Sequence, residues 1–225
     1  MKMPPELEAV IWDFNGTLID DVEHIVRSVN VLLQRRALPL LTVASFRDVF
    51  GFPIVDYYRK IGFDLSAESM ADLSAEFHDE YVPGLMTCPL HEGVVDALAT
   101  FRKTGARQFV LSALEEVLLG SAIDRLGIAD CFEALYGLDH LEGDSKLTRA
   151  RSLLDDFRIP PNTALLIGDT DHDAEVAEAL SIEAALVATG HQSERRLHDT
   201  GCAVYGSVGQ LSRAFASRSR EKTIP

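Results

Sequence analysis

The 225-residue sequence is poor in basic residues and has no long apolar run. Its 21 lysines and arginines stand against 35 aspartates and glutamates, so the formal net charge at pH 7 is −14. Because a surface of this charge repels phosphate backbones and anionic lipids, we expect no nucleic-acid partner and no membrane partner. The ~18 consecutive apolar residues that a membrane span requires are also missing.

Cysteine is scarce, with only Cys88, Cys131 and Cys202, which lie far apart and form no CxxC pair. This usage is typical of a reducing cytoplasm and excludes a zinc knuckle, so we expect each cysteine to be a small apolar core residue. Residues 1–7 lack the apolar centre of a signal peptide. We therefore expect a cytoplasmic protein.

Short apolar runs alternate with helical patterns through residues 89–211. These runs predict strands at 108–111, 134–136, 164–167 and 184–187, and the helical patterns cover 91–103, 115–126, 146–157 and 173–180. One further predicted strand, at 9–12, stands alone near the N-terminus. Continuous apolar strands that alternate with helices are typical of a parallel sheet covered on both faces. The sequence therefore predicts an α/β fold whose core is a Rossmann-like, doubly wound parallel sheet.

Residues 20–88 have a different, helical texture. Apolar positions recur every three or four residues, which predicts helices at 22–33, 43–49, 53–61 and 67–81. Asp20 or Asp21 is placed to cap the first of these helices. We predict an α/β core over residues 1–19 and 89–225, interrupted by an inserted α-helical cap domain over residues 20–88.

Two acidic motifs follow predicted strands. Asp13 begins the run Asp13-Phe14-Asn15-Gly16-Thr17, and Gly168-Asp169 is followed by Asp173. In open parallel sheets, ligands bind outside the carboxyl ends of the strands, and crowded carboxylates there repel one another unless a cation such as Mg²⁺ lies among them. A turn and helix-capping acids would give the same residues without chemistry, and we assign Asp171 to that structural role.

Two further signals complete an ordered set. Ser112 ends a predicted strand and Lys146 begins a predicted helix, although each by itself is as typical of a helix cap or a solvated surface residue. The order Asp13, Ser112, Lys146, Gly168-Asp169 resembles the motifs of the haloacid dehalogenase superfamily of phosphohydrolases. The helical insertion resembles the cap of its phosphoglycolate phosphatase and β-phosphoglucomutase branch.

The resemblance implies a Mg²⁺-dependent phosphatase of small phosphorylated metabolites, a monomer or homodimer. Asp13 would be the nucleophile that forms an aspartyl-phosphate, with Lys146 as the second catalytic residue. Mg²⁺ would be held by Asp13, the backbone carbonyl of Asn15, Asp169 and Asp173. The phosphate would be bound by Asn15, Ser112 and Lys146.

Asn15 departs from the family pattern, because the family's phosphatases carry a second aspartate at this position as general acid and base. Asparagine cannot exchange a proton at neutral pH, and general acid–base catalysis contributes about 10²–10⁴-fold. His24, His191 or Asp20 are the candidates to replace it.

Two alternatives to the phosphatase follow from Asn15. Phosphonoacetaldehyde hydrolases also lack the second aspartate and use a cap lysine, for which Lys60 is the candidate. A catalytically weakened protein that binds phosphorylated ligands is the other alternative. Dehalogenation is disfavoured, because the dehalogenases of the superfamily need no metal and lack the acid-rich motif of Asp169 and Asp173.

Secondary candidates surround Gly51 and follow the predicted strand at 184–187. Arg47, Phe50, Phe52 and Tyr57 would lie in a cap loop over the site and contact the substrate body. For Phe50 and Phe52 the alternative is that they pack the cap's own core. His191 would either touch the substrate or cap a helix.

Overall fold

The computed structural model describes residue 4, residues 6–138 and residues 145–221, and its centre is a sheet of six parallel strands. The strands are Ala9–Trp12 (β1), Arg107–Glu115 (β2), Ala134–Leu138 (β3), Ala164–Gly168 (β4), Glu183–Val187 (β5) and Ala203–Tyr205 (β6). Their spatial order is β3-β2-β1-β4-β5-β6. The chain therefore builds the sheet outwards in both directions from the β1–β4 pair, and the predicted fold class is confirmed.

Helices cover both faces of this sheet and fill the insertion after β1. They are Val22–Arg35 (α1), Val43–Val49 (α2), Ile54–Lys60 (α3), Met70–Leu85 (α4), Val94–Arg102 (α5), Glu116–Arg125 (α6), Lys146–Phe157 (α7), Asp171–Leu180 (α8), Glu194–Asp199 (α9) and Val208–Glu221 (α10).

The alternation of side chains along β1 divides the core into two layers. Val10 and Trp12 pack with residues of α5, α6 and α10, whereas Ala9 and Ile11 pack with residues of α7 and α8. All four residues are fully buried, because β1 lies between β2 and β4 and is covered on both faces. This double burial explains why the central strands are apolar at every position.

The helices α1 to α4 share a separate apolar cluster. Among its buried members are Leu33 of α1, Phe46 of α2, Tyr58 of α3 and Leu73 of α4. A cluster of this kind supports a unit with its own core. The division into a core over residues 1–19 and 89–225 and a cap over 20–88 stays a prediction that this packing favours.

The structure departs from the predicted elements at several places, and α9 and α10 were not predicted. β2 continues past an irregularity after Leu111, so Ser112 lies inside the strand rather than at its end. α4 is shifted from the predicted range 67–81, because Ser69 caps it by accepting a hydrogen bond from the backbone N–H of Asp72 at 3.1 Å. β6 has only three half-buried residues at the sheet edge, which are too few to produce a recognisable apolar pattern.

In the described ranges, none of the helices combines the length and the apolar character needed to cross a bilayer. The three cysteines are free. Cys88 is buried as predicted, but Cys131 and Cys202 are only half-buried, because one lies in a short 3₁₀ turn and the other directly precedes β6.

Candidate active site

The carboxyl ends of β1 and β4 bring the two acidic motifs together. The backbone N–H of Asp13 donates to the carbonyl oxygen of Ile167 at 2.8 Å, which continues the pairing of β1 with β4 to the strand ends. Asp13 and Asp169 therefore follow the ends of the neighbouring strands β1 and β4. The strand order reverses between these two strands, and ligands ordinarily bind at that point of such a sheet. Carboxylate oxygens of Asp13, Asp169 and Asp173 lie within 4.8 Å of one another, and all three residues are buried.

Lys146 reaches this cluster from the first position of α7. Its Nζ donates to Oδ1 of Asp13 and, at 2.6 Å, to Oδ1 of Asp173. Burial acts to lower the pKa of Lys146, but the two carboxylates raise it overall, so the side chain stays an ammonium. The structure thus joins residues 133 positions apart in the sequence.

Asp169 and Asp173 are held rigidly by neutral donors. Oδ2 of Asp173 accepts from the backbone N–H of Asp169 at 3.1 Å and from the hydroxyl of Thr170 at 2.6 Å, so Asp173 forms the capping box of α8. Asp169 accepts from the Thr17 hydroxyl at 3.0 Å and from the backbone N–H of His191 at 2.6 Å. Asp173 is therefore both a helix cap and a member of the buried cluster.

The cluster holds more negative than positive charge. Burial raises the pKa of Asp13 well above its ordinary value and the nearby acids raise it further, against the opposing effect of Lys146. Burial also raises the pKa of Asp169. For Asp173 burial acts in the same direction, but Lys146 and the hydrogen bonds from Thr170 lower its pKa overall. Three oxygen-donor side chains with unbalanced charge fit a hard divalent cation such as Mg²⁺.

Asn15 is tied to a second buried acid. Its Nδ2 donates to Oδ2 of Asp21 at 2.9 Å and to Oη of Tyr81 at 2.7 Å, and the Tyr81 hydroxyl donates to the same Asp21 oxygen at 2.5 Å. Asp21 occupies the N-cap position of α1, as predicted, but its side chain is 0% exposed and makes no capping hydrogen bond. Its carboxylate instead accepts a hydrogen bond from the side-chain amide of Asn15.

His191 connects this acid to the metal-ligand candidates. Its Nε2 lies 3.1 Å from Oδ1 of Asp21 and its Nδ1 lies 3.3 Å from Oδ2 of Asp169. Burial acts to lower the pKa of His191, but these two carboxylates raise it to about 9. His191 is therefore an imidazolium that balances the charge of one of the two acids. Of the three candidates to supply a proton, His24, His191 and Asp20, it is His191 that lines the cavity.

Of the other predicted candidates, Ser112 lies in the cavity, whereas His24 and Asp20 do not. The Ser112 hydroxyl lines the same cavity and donates to Oδ1 of Asn15 at 3.4 Å. Nε2 of His24 bonds the carbonyl oxygen of Tyr81 at 2.6 Å, and His24 does not line the cavity. The Asp20 side chain is 52% exposed and lies 3.9 Å from His91.

Asp171 and Lys60 are also outside the cavity. The carboxylate of Asp171 accepts from Nε2 of Gln192 and from Arg196, each at 2.7 Å, so its assignment to a structural role agrees with the geometry. Lys60 ends α3 with its side chain exposed, away from the cavity lining.

Asp21 and Tyr81 were not recognised in the sequence as site residues. Asp21 directly follows another aspartate before a helical pattern, which favours a cap, and Tyr81 lies 66 residues from Asn15 on an ordinary amphipathic helix. A polar tyrosine among apolar helix positions was the available signal, and it is a weak one because tyrosine is common in cores.

A cavity of about 550 Å³ extends from the acidic cluster to the helices α1 to α4. Its far wall is apolar and aromatic, and includes Ile25, Val29, Phe46, Phe50, Tyr57 and Phe77. Phe50 therefore meets both of the predicted alternatives, because it lines the cavity and also belongs to the apolar cluster of α1 to α4. Tyr57 also lines the cavity and belongs to this cluster. Phe52 lines the cavity too and stacks on His172 with ring centroids 4.6 Å apart.

Arg47 does not line the cavity but fastens α2 to the loop at 188–193. Its guanidinium donates to the carbonyl oxygens of Gly190 at 2.8 Å and Thr189 at 2.7 Å, and its own carbonyl accepts from the backbone N–H of Ser193 at 3.2 Å. These contacts hold α2 beside His191. Arg47 therefore positions α2 against the loop at 188–193 and does not make the predicted contact with substrate.

Replacing Arg47 by alanine is expected to speed amide hydrogen exchange at Ser193 by at least ~10-fold, since each lost hydrogen bond to a charged donor contributes about 1.5–3 kcal/mol. Exchange followed by mass spectrometry measures this. Arg59→Ala is the matched control, because the exposed Arg59 pairs only within α3, with Asp56. Equal exchange in the two variants would show that Arg47 does not fasten the loop.

Comparisons with known proteins identify the family of the chain. A family model described as haloacid dehalogenase-like hydrolase matches residues 10–187. The chain is 28% identical to the tyrosine-protein kinase PtkA of Mycobacterium tuberculosis, over 82% of this chain but only 63% of that protein. It is 25% identical to the phosphoglycolate phosphatase of Caulobacter vibrioides, over 82% of this chain and 81% of the relative.

Solved structures show the same fold. A haloacid dehalogenase-like family hydrolase from Streptococcus pneumoniae superposes with a TM-score of 0.81 at 17% identity, over 93% of this chain and 98% of the other. A structure described as a predicted phosphatase from Clostridium acetobutylicum gives 0.80 at 21% identity, over 94% and 99%.

Proposed function

Because the chain belongs to the haloacid dehalogenase-like hydrolase family, we propose that it is a Mg²⁺-dependent phosphatase of small phosphorylated metabolites, acting through an aspartyl-phosphate on Asp13. The buried cluster of Asp13, Lys146, Asp169 and Asp173 at the ends of β1 and β4 is the observation that carries this proposal. The phosphoglycolate phosphatases among the relatives support the same class of reaction.

In the proposed reaction a carboxylate oxygen of Asp13 attacks phosphorus, and the bond from phosphorus to the leaving oxygen breaks. Water then attacks the aspartyl-phosphate, which releases inorganic phosphate and regenerates the carboxylate. Lys146 donates to Asp13 and lies where it balances the charge of the transferring group. Asp13, Asp169 and Asp173 would hold Mg²⁺, which supplies the positive charge that lets an anionic nucleophile approach an anionic phosphate.

The proton for the leaving oxygen is the incomplete part of this machinery, because His191, the one predicted donor in the site, is already placed between Asp21 and Asp169. Asn15 cannot supply it, and the Asn15 amide is engaged by Asp21 and Tyr81. We therefore expect faster turnover for substrates whose leaving groups need little protonation. The same contacts favour a second candidate function, a binding protein for phosphorylated ligands with slow turnover. Cleavage of a C–P bond gains no support, because Lys60 is exposed outside the cavity.

Phosphate release from a panel of phosphomonoesters, with Mg²⁺ and with EDTA, tests the proposal. Release that requires the metal supports the phosphatase. Release that is unaffected by EDTA would contradict the role of the acidic cluster. Absence of release from every ester, together with binding of phosphorylated ligands, would favour the second candidate.

Mg²⁺ alone is expected to raise the melting temperature, because it relieves repulsion in the cluster. A ligand at 100 times its dissociation constant stabilises the native state by about 2.7 kcal/mol. Differential scanning calorimetry with and without Mg²⁺ measures this. Asp169→Asn should lose most of the shift, whereas the control Asp171→Asn, two positions along and outside the cluster, should keep it. The same shift in both variants would mean that Mg²⁺ binds elsewhere.

A further inference from the structure

The wall of the cavity opposite the acidic cluster offers little to a charged ligand. The described lining of the whole cavity includes no arginine. Its single lysine, Lys146, belongs to the acidic cluster and is already bonded to Asp13 and Asp173. His191 is likewise placed between two carboxylates. A second anionic group on a substrate, such as a carboxylate, would therefore enter the cavity without a counter-charge, at a large desolvation cost.

The same wall is rich in aromatic rings. Phe46 and Phe50 stack with centroids 4.9 Å apart, and Tyr57 meets Phe50 edge-on at 5.2 Å. The ring of Phe50 also lies 5.5 Å from that of His191, which itself contacts Asp21 and Asp169. The aromatic surface therefore begins beside the residue that contacts these two acids. Apolar surface of this kind in a cavity of about 550 Å³ suits a ligand whose body is apolar and aromatic.

Tyr57 contributes ring surface to this wall. The residue is 4% exposed, and its hydroxyl is buried without a hydrogen-bond partner among the described residues. Because the hydroxyl oxygen has almost no exposed surface, it does not face the cavity, and Tyr57 adds apolar ring surface to the lining. His78 lies at the exposed rim, where its Nδ1 bonds the carbonyl oxygen of Ser74 at 2.6 Å.

We propose that the substrates are phosphomonoesters with an uncharged aryl or arylalkyl body. The proposal rests on the proposed function, and it separates this chain from the phosphoglycolate phosphatases among its relatives. The cavity accepts the phosphate at the acidic end and the ring at the aromatic end.

Binding of two matched phosphonates to the wild-type protein in Mg²⁺ tests the proposal without turnover. Benzylphosphonate and phosphonoacetate share a phosphonate on a methylene group and differ in carrying a phenyl ring or a carboxylate. Isothermal titration calorimetry is expected to show benzylphosphonate binding at least ~30-fold more tightly. Equal affinities, tighter binding of phosphonoacetate, or no binding of either would overturn the proposal.

One variant sharpens the test. Met70→Arg places a cation in the lining and is expected to narrow the preference for benzylphosphonate over phosphonoacetate by at least ~10-fold. An unchanged preference in Met70→Arg would contradict the argument from the missing counter-charge.

Phosphate release from benzyl phosphate and phosphoglycolate separates the two proposals. A binding preference for the aryl ligand without release from either ester would leave the inference standing and refute the phosphatase. Release mainly from phosphoglycolate would support the phosphatase and overturn the inference.

Discussion

Replacing Asp13 by asparagine is expected to lower phosphate release by at least ~10⁴-fold while the fold remains intact. An amide oxygen is too weak a nucleophile to form the acyl-phosphate, and loss of a covalent nucleophile costs up to about 10⁶-fold in other enzymes. The fold should survive because the asparagine keeps the shape of the side chain and Lys146 retains its bond to Asp173. Initial rates in Mg²⁺, measured on the best substrate of the panel, give the comparison.

Asp20→Asn is the matched control for this variant. Asp20 lies in the same segment and carries the same functional group, but its side chain is 52% exposed and outside the cavity lining. It should retain nearly full activity. Thermal melts followed by circular dichroism must show both variants folded. An Asp13→Asn protein with more than a few per cent of the wild-type rate would place the nucleophile elsewhere.

Placing an aspartate at position 15 is expected to raise turnover only when Asp21 is changed as well. Nδ2 of Asn15 lies 2.9 Å from Oδ2 of Asp21. A carboxylate at position 15 would replace this hydrogen bond by the repulsion of two buried like charges, which costs several kcal/mol. The Asn15→Asp protein should therefore be less stable than the wild type and show little gain in activity.

The double variant Asn15→Asp/Asp21→Asn exchanges the amide and the carboxylate and keeps one charge in the pair. It should regain stability and raise kcat by about 10²–10⁴-fold on substrates with poor leaving groups, the usual contribution of a general acid and base. Urea unfolding and kcat of the wild type, both single variants and the double variant form a double-mutant cycle, which isolates the coupling between the two positions.

Two results would contradict this account. A stable and fully active Asn15→Asp single variant would show that Asp21 does not oppose a charge at position 15. A double variant no faster than the wild type would show that the missing proton donor does not limit turnover. Asp21→Asn by itself serves as the control, since it removes the acid without adding a proton donor at position 15.

Several parts of this site follow from local sequence alone. Asp13 and Asp169 each come directly after an apolar strand, and parallel strands must end at the same edge of their sheet, so their meeting was predictable. The helix that carries Lys146 begins and ends at its predicted residues, because Ser145 caps it. The place of Lys146 beside Asp13 came instead from the resemblance to a family, since no local pattern links residues 133 positions apart.

The sequence by itself determined the parallel sheet, the helical insertion and the acidic edge, because apolar periodicity and strand-end residues are local properties of the chain. Only the tertiary structure decided the partners of Asn15 and the character of the cavity. Asp21, Tyr81 and His191 come from three separate segments, and the packing of α4 and the loop at 188–193 against the core sets their contacts. The aromatic wall likewise depends on how α1 to α4 pack together, because a residue's distance from the acidic cluster depends on the packing of whole helices.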